Sequence, residues 1–207
     1  MWFNQPYMAN LTELPSDLPQ PLDDGAANHL VGMKLPQLTL QATTGVGINV
    51  GTIPGLLVVY CYPMTGQPNV ALPEGWDQIP GARGCTPQSC SFRDHYQDIQ
   101  DLGAALMGLS VQSTEYQTEM AQRLHLPFPV LSDIDYSFQQ ALRLPTFQAA
   151  GMTLLKRLTL VAKDGRIVAV HYPVFPSDSD PQWVVAYVRS GNRTEWRPQM
   201  SADGPGP

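Results

Sequence analysis

The chain has 207 residues and a formal net charge of −6, with 12 basic against 18 acidic side chains. That length suits one well-filled core, and the acidic balance argues against a nucleic-acid-binding surface. No apolar run reaches the roughly 18 residues that a membrane-spanning helix needs. The composition therefore predicts a globular protein that binds neither nucleic acid nor membrane.

The start of the chain does not have the pattern of a targeting segment. No lysine or arginine precedes Lys34, whereas Glu13, Asp17, Asp23 and Asp24 do. A secretory signal has a basic start and an apolar core, and a transit peptide is rich in arginine and poor in acids. We therefore expect a cytoplasmic protein, in which the cysteines rest as thiols.

The first half of the chain predicts an arm followed by strands. Residues 1–30 are rich in proline, asparagine and aspartate and form the predicted N-terminal arm. Strands are expected at 35–41, 45–50 and 56–62, and the last is apolar throughout, as in a central strand covered on both faces. Residues 64–84 are dense in glycine and proline, and so long a loop is often functional.

The second half of the chain alternates helices with strands. The expected elements are a helix at 85–102, a strand at 104–110, a helix at 114–124, a strand at 128–131, a helix at 136–142, strands at 154–161 and 166–172, and a helix at 181–189. Lys163-Asp164-Gly165 is a favourable hairpin turn between the last two strands. This order predicts a three-layer α/β domain at 31–190 with a central mixed sheet flanked by helices. Residues 191–207 are a predicted tail.

Two cysteines lie in the first two turns of the helix predicted after the long loop. Cys85 falls in its first turn, where unpaired backbone N–H groups and the helix dipole favour an anion. The thiolate is the nucleophilic form of cysteine, so this position suits a reactive thiol. On a helix, Cys85 shares the inward face with Ser89 and Phe92, whereas Cys90 lies about 140° around the axis.

The spacing of the two cysteines disfavours a permanent bond between them. Residues five apart on an ideal helix have Cα atoms about 8.6 Å apart, whereas a disulfide needs less than about 7 Å. A disulfide formed during a reaction, with local unwinding, stays open. His95 extends the pattern to Cys-x4-Cys-x4-His, but no fourth ligand stands at the usual zinc spacing, so we predict no metal. Two structural cysteines also remain possible on spacing alone.

Three segments carry a resemblance to a known family. Residues 85–94, CTPQSCSFRD, are similar to the cysteine segment of peroxiredoxins, particularly the bacterioferritin-comigratory type. Residues 126–133, LPFPVLSD, and the pair RLTLV at 157–161 with KDG at 163–165 resemble further segments of that family in the same order. Together they cover about 35–190, which makes the resemblance specific.

The resemblance implies a thioredoxin-like fold and thiol-dependent reduction of hydrogen peroxide or organic hydroperoxides. Cys85 matches the peroxidatic cysteine, which forms a sulfenic acid, and Cys90 matches the resolving cysteine. Arg157 matches the strand arginine that keeps the first cysteine ionised. A thioredoxin-like donor would reduce the disulfide, no metal or organic cofactor is implied, and the protein is expected to be a monomer or homodimer.

The chain departs from the family pattern just before the first cysteine. Ala82 stands where the family has a threonine or serine hydroxyl, and residues 64–84 contain an insertion of roughly 15 residues. We hypothesise that the insertion folds over the site, where Thr65 or a backbone group replaces the hydroxyl. Arg83 and Thr86 are further candidates for support of the substrate. A third interpretation is that the peroxidase activity is weak or directed at another oxidant.

Two other functions are compatible with the sequence. A thiol–disulfide oxidoreductase is disfavoured because such exchange normally uses Cys-x-x-Cys. A non-enzymatic redox sensor is favoured by the missing hydroxyl at Ala82. Cys61, in the central strand, is interpreted as a packed core thiol that could lie near Cys85, and Trp76 as either a cover for the site or an anchor for the insertion.

Overall fold

A seven-stranded sheet forms the centre of the protein, which we describe over residues 10–191 of a computed structural model. The first nine residues of the predicted arm and residues 192–207 of the predicted tail lie outside this description. From 10 to 30 the arm contains no helix or strand. No helix within the described residues is long and apolar enough to cross a membrane.

The strands are β1 (Thr39–Ala42), β2 (Gly47–Asn49), β3 (Leu56–Cys61), β4 (Ala104–Ser110), β5 (Val130–Ser132), β6 (Thr146–Ala149), β7 (Met152–Leu155), β8 (Leu158–Lys163) and β9 (Arg166–His171). Their order in the main sheet is β2-β1-β5-β4-β3-β8-β9. Strands β3, β4 and β5 run parallel, and the remaining neighbours are antiparallel. The predicted mixed sheet is therefore confirmed.

The helices are α1 (Cys85–Asp94), α2 (Tyr96–Asp101), α3 (Thr114–Arg123), α4 (Ser137–Leu142) and α5 (Asp180–Arg189). Four of them, α1, α2, α3 and α5, contribute to one hydrophobic core, and α4 contributes to the core on the other side of the sheet with the β6–β7 hairpin. The sheet therefore lies between two layers, as the α/β pattern predicts.

Strand β3 shows why the centre of the sheet is apolar throughout. Val58 and Tyr60 point into the core that contains α1, whereas Leu57, Val59 and Cys61 point into the opposite core. Successive side chains on a strand alternate between faces, so a strand covered on both sides needs apolar residues at every position. All five side chains are buried.

The turn between β8 and β9 has the predicted tight form. Asp164 and Gly165 have φ values of 48° and 74°, as a two-residue type I′ turn requires. The Asp164 carboxylate also accepts a 2.8 Å hydrogen bond from the Gly55 N–H. The turn is thereby attached to the start of the central strand.

The single strand predicted at 154–161 is wrong. The chain forms β7, which pairs only with β6 in a separate hairpin, and then β8, which pairs with β3 in the main sheet. Lys156 and Arg157 connect the hairpin to the main sheet. The Lys156 N–H donates to the Pro145 carbonyl at 2.8 Å, at the end of the β6–β7 hairpin. The break frees Arg157 from the ladder and places it just before β8.

The single helix predicted at 85–102 is also interrupted. His95 has φ −102° and ψ 8° and separates α1 from α2. Its backbone N–H still donates to the Ser91 carbonyl at 3.1 Å, and its ring Nδ1 lies 2.9 Å from the same oxygen. Helix α1, with both predicted cysteines, is thus a separate ten-residue unit.

Candidate active site

Cys85 is the first residue of α1, and the glycine before it sets the start of the helix. Gly84 has φ +104°, a conformation that side chains with a Cβ rarely adopt. A Cβ at this position would lie 2.2 Å from Ser177 Oγ and 2.7 Å from Leu14 Cδ2. Only glycine fits, and it places the Cys85 thiol, 3% exposed, at the N-terminal end of the helix.

The guanidinium of Arg157 contacts the thiol directly. Its Nη2 donates to Cys85 Sγ at 3.2 Å and to the carbonyls of Gly81, Ala82 and Arg83 at 3.2, 3.2 and 3.1 Å. The carbonyls hold the cation in place, and the thiol is its fourth neighbour. A fixed positive charge beside a helix N-terminus stabilises a sulfur anion more than a neutral thiol.

A buried chain of hydrogen bonds continues from Arg157 to the far side of α1. Arg157 Nη1 donates to Gln88 Oε1, and Gln88 Nε2 donates to Asp180 Oδ2 at 2.7 Å. The same carboxylate accepts from Thr159 Oγ1 at 2.6 Å and faces His171 Nδ1 at 2.8 Å. Gln88 and Asp180 are completely buried. Sequence reasoning missed this chain because its members are far apart in sequence, and Asp180 and His171 lie outside the family-like segments.

Two buried side-chain polar atoms have no hydrogen-bond partner among residues 10–191, Arg157 Nε and Ser177 Oγ. Both belong to residues that touch the start of α1. An unpaired buried donor is costly unless a ligand or water completes it. Arg157 therefore retains one donor beyond those that hold the protein together.

Cys90 differs from Cys85 in its surroundings, although the two share one helix. It is half-buried and packs at the edge of the core that contains Cys85. Burial raises the pKa of the Cys90 thiol. Both cysteines are free thiols on an intact helix, so the sulfur atoms can join only if α1 unwinds.

Cys61 lies on the other side of the sheet. It is completely buried in the core opposite to the one that contains Cys85, which confirms a packed core thiol. The expectation that Cys61 could lie near Cys85 is wrong. The side-chain alternation of β3 directs Cys61 to the face of the sheet opposite to the core that contains Cys85. Burial raises the pKa of the Cys61 thiol well above its usual range.

The three candidates for the missing hydroxyl lie around the site without bonding to the thiol. The Thr65 hydroxyl donates to Gln112 Oε1 at 3.3 Å. Arg83 directs its guanidinium to Asp77, at 3.4 Å, and to the carbonyl of Asn10, at 2.6 Å. Thr86 is buried in the first turn of α1. Arg83 contacts the site through its backbone carbonyl, which accepts a hydrogen bond from Arg157 Nη2 at 3.1 Å. A substrate role for the three side chains stays a prediction.

The arm lies against the segment that precedes α1. Leu14 and the Asn10 carbonyl contact the segment just before Cys85, and Trp76 of the insertion is buried in the opposite core, where it anchors the loop. A cavity of about 230 Å³ opens beside Arg157. It is lined by residues of the arm, the insertion and the chain around β9: Pro21, Leu22, Ile79, Pro80, Tyr172 and Val174 among them.

Within residues 10–191, no group of three or more histidine, cysteine or acidic side chains is placed to hold a metal ion. The groups that meet at the start of α1 are one thiol, one guanidinium and the first N–H groups of the helix.

The chain has relatives among known proteins. The Redoxin family model matches residues 30–184. Peroxiredoxin Bcp of Bacillus subtilis (strain 168) is 26% identical over 67% of this chain and 82% of its own length. Chloroplastic Peroxiredoxin Q of Sedum lineare is 34% identical, over 49% of this chain and 47% of the plant protein. The chain thus spans most of the bacterial relative and about half of the plant one.

Solved structures share the fold. Peroxidoxin BcpB of Mycobacterium tuberculosis superimposes with a TM-score of 0.63, at 22% identity, covering 77% of this chain and 96% of that one. Peroxiredoxin Q of Xanthomonas campestris gives a TM-score of 0.61 at 18% identity, covering 86% and 100%. These matches confirm the predicted thioredoxin-like fold.

Proposed function

The chain belongs to the redoxin family, and on that premise we propose that it is a peroxiredoxin that reduces hydrogen peroxide and organic hydroperoxides with Cys85 as the nucleophile. The observation that carries the proposal is the 3.2 Å contact between Arg157 Nη2 and Cys85 Sγ at the first residue of α1. A thiol held between a fixed cation and a helix N-terminus is arranged to react as a thiolate.

The first step is a displacement at oxygen. The Cys85 thiolate attacks the terminal oxygen of the hydroperoxide, the S–O bond forms and the O–O bond breaks. The leaving oxygen takes a proton and departs as water or an alcohol, and the cysteine becomes a sulfenic acid, oxidised by two electrons. Negative charge moves from sulfur to the leaving oxygen, so donors already fixed beside both atoms stabilise the transition state.

Arg157 is the donor placed for that task. Its Nη2 lies against the sulfur, and its Nε has no partner among the described residues. A peroxide oxygen that accepts from this N–H would give the buried donor a partner. The same hydrogen bond would stabilise the negative charge that develops on the oxygen. The backbone N–H groups of the first turn of α1 supply further donors on the same side of the thiol.

The second step uses Cys90 as the resolving thiol. The Cys90 sulfur, as thiolate, attacks the sulfur of the Cys85 sulfenic acid, the S–S bond forms, and hydroxide leaves and is protonated to water. Because the two cysteines are five positions apart on the helix, the step includes local unwinding of α1. A dithiol donor of the thioredoxin type then reduces the disulfide and is itself oxidised.

Mass spectrometry of the thiols after one equivalent of hydrogen peroxide tests both assignments. We expect a Cys85–Cys90 disulfide in the wild type and a Cys85 sulfenic acid, trapped with dimedone, in Cys90→Ser. Cys61→Ser is the matched control and should behave as the wild type. A Cys61–Cys85 disulfide would overturn the role of Cys90, and an unoxidised Cys85 in all three proteins would overturn the proposed function.

The reductant and the cellular location belong to the same proposal. A cytoplasmic protein meets reduced thioredoxin-like donors, which a disulfide formed within one chain requires for turnover. Coupled oxidation of NADPH through thioredoxin reductase and thioredoxin measures that turnover. Steady consumption of peroxide separates the peroxidase from a redox sensor, which would be oxidised once. Reduction of insulin without peroxide turnover would instead favour a thiol–disulfide oxidoreductase.

A further inference from the structure

We propose that Asp180 is a positioning residue that orients Arg157 over Cys85 through the amide of Gln88, an inference that rests on the proposed peroxidase function. Asp180 opens α5 and is completely buried, far in sequence from the cysteine segment. It makes no contact with the thiol itself. Its influence passes through two hydrogen bonds, from Gln88 Nε2 to the carboxylate and from Arg157 Nη1 to Gln88 Oε1.

The argument begins with the polarity of the three groups. An ionised carboxylate only accepts hydrogen bonds and a guanidinium only donates them, whereas an amide has one end of each kind. Gln88 lies between Asp180 and Arg157 and must present its NH2 to the first and its oxygen to the second. If the amide turned over, an acceptor would face an acceptor and a donor would face a donor. Asp180 therefore determines which end of Gln88 meets Arg157.

The carboxylate is itself held from three directions. Thr159 of β8 donates to it at 2.6 Å and His171 of β9 faces it at 2.8 Å. The His171 ring stacks on Trp183 of α5, with centroids 4.6 Å apart and planes inclined by 11°. Strands β8 and β9 and helix α1 thus meet at one buried group. A polar group satisfied on every side is rigid, and a half-satisfied one is costly.

The consequence for the reaction is rotational control of Arg157. The carbonyls of Gly81, Ala82 and Arg83 accept from Nη2 only. The guanidinium could therefore turn about Nη2 and still keep some of these three hydrogen bonds. The bond from Nη1 to Gln88 removes that freedom, because it adds a second fixed point on the same fork. Nη2 then stays on Cys85 Sγ.

The test compares Asp180→Ala with Gln88→Leu and with the double variant, using the single-turnover rate of Cys85 oxidation by hydrogen peroxide. Each single substitution is expected to slow oxidation about tenfold, as the loss of a hydrogen bond to a charged group does. In the Gln88→Leu background, adding Asp180→Ala should change the rate less than twofold, because the path from Asp180 to Arg157 is already broken.

A rescue variant distinguishes positioning from general damage. Asp180→Ala combined with Gln88→Glu should recover the rate to within about threefold of the wild type, since a carboxylate at 88 accepts from Arg157 in either orientation. Asp133→Ala is the matched control. Asp133 is also completely buried, but it caps α4 through the N–H groups of Phe138 and Gln139, so this variant should lose stability and keep the rate.

Wild-type oxidation by Asp180→Ala, fully additive single effects, or a rescue variant as slow as Asp180→Ala would each overturn the inference. All variants are compared by circular dichroism at the assay temperature. If Asp180→Ala does not fold, Asp180→Ser replaces it, because a hydroxyl leaves a polar group at this position but removes the Oδ2 atom to which Gln88 and Thr159 both donate. Failure of the wild type to oxidise at Cys85 would instead contradict the proposed function, so the two failures are separable.

Discussion

Helix α1 has a cysteine thiol at its first residue and another near its middle, in two different settings. At the first residue, Cys85 is 3% exposed and touches the guanidinium of Arg157. Five residues later, Cys90 is half-buried, and burial raises the pKa of its thiol. The first thiol contacts a fixed cation. The second packs at the edge of a hydrophobic core, where burial disfavours its charged form and raises its pKa.

The difference extends to how each end is held. Gly84 and three carbonyls bonded to Arg157 fix the first end, and the arm lies against the segment that precedes it. The C-terminal half of α1 is held by other contacts. Phe92 is completely buried and stacks on Tyr60, Ser91 Oγ donates to the Asp178 carbonyl at 2.6 Å, and Arg93 Nη1 donates to the Leu124 carbonyl at 2.9 Å. On the proposed mechanism, in which Cys90 is the resolving thiol, we expect α1 to open from its C-terminal half while its N-terminal end stays in place.

Removing the cation from the first end should have the largest effect. Arg157→Met is expected to slow single-turnover oxidation of Cys85 by about 10²- to 10³-fold, as the loss of a preorganised donor does. The substitution also leaves the three carbonyls without their donor, so the free energy of unfolding should fall. Arg93→Met, at the other end of α1, is the control and should leave the oxidation rate unchanged. Equal rates in the two variants would contradict the difference between the ends.

A side chain at Gly84 should displace the start of the helix. Gly84→Ala combines a φ of +104° with a Cβ 2.2 Å from Ser177 Oγ, and we expect a loss of about 2 kcal/mol in the free energy of unfolding. Gly103→Ala is the matched control, because that glycine has φ +75° but nothing within 4 Å of a Cβ, and its cost should be about half. Urea denaturation measures both, and equal costs would show that the contact with Ser177 is unimportant.

Loosening the C-terminal half of α1 should speed the formation of the disulfide. Ser91→Ala removes the bond to the Asp178 carbonyl, which is worth about 1 kcal/mol, so unwinding and disulfide formation should be about fivefold faster. The first oxidation step should not change. Stopped-flow fluorescence separates the two phases, with Thr118→Ala on α3 as the control for loss of a helix hydroxyl. A second phase as slow as in the wild type would place the opening elsewhere.

The attachment of the arm should respond weakly to acid. Lys156 and Tyr172 lower the pKa of Asp24 from 3.8 to about 2. A carboxyl with a lowered pKa in the folded state stabilises it fully above the unfolded value and loses that contribution as the pH falls through the folded one. We therefore expect the arm to become susceptible to pepsin as the pH falls from about 4 to about 2. The pair is partly exposed, so the effect is small, and Asp24→Asn should abolish this dependence on pH. The same dependence in Asp24→Asn would exclude this carboxyl.

Much of the architecture follows from local patterns. Apolar runs predict β3 and β4, the Asp164-Gly165 pair predicts the β8–β9 turn, and the residue order predicts the mixed sheet. The errors fall where long-range contacts override local preference. The helix is interrupted at His95, whose backbone leaves the helical conformation, and the chain changes sheets at Lys156–Arg157. Periodicity contains no information about either.

The sequence by itself determined the fold class and the family. A cysteine after glycine at a helix start, and the order of three family-like segments, also predict Cys85, Cys90 and Arg157 as the site residues. The tertiary structure decided the surroundings of the cysteine. It determined on which side of the sheet Cys85 lies and where Arg157 leaves the β-ladder. It also brought Gln88 to Arg157 and Asp180 to Gln88, through one hydrogen bond each. Backbone preferences and short motifs act over a few residues, whereas a buried carboxylate finds its donors only when strands and helices distant in sequence pack around it.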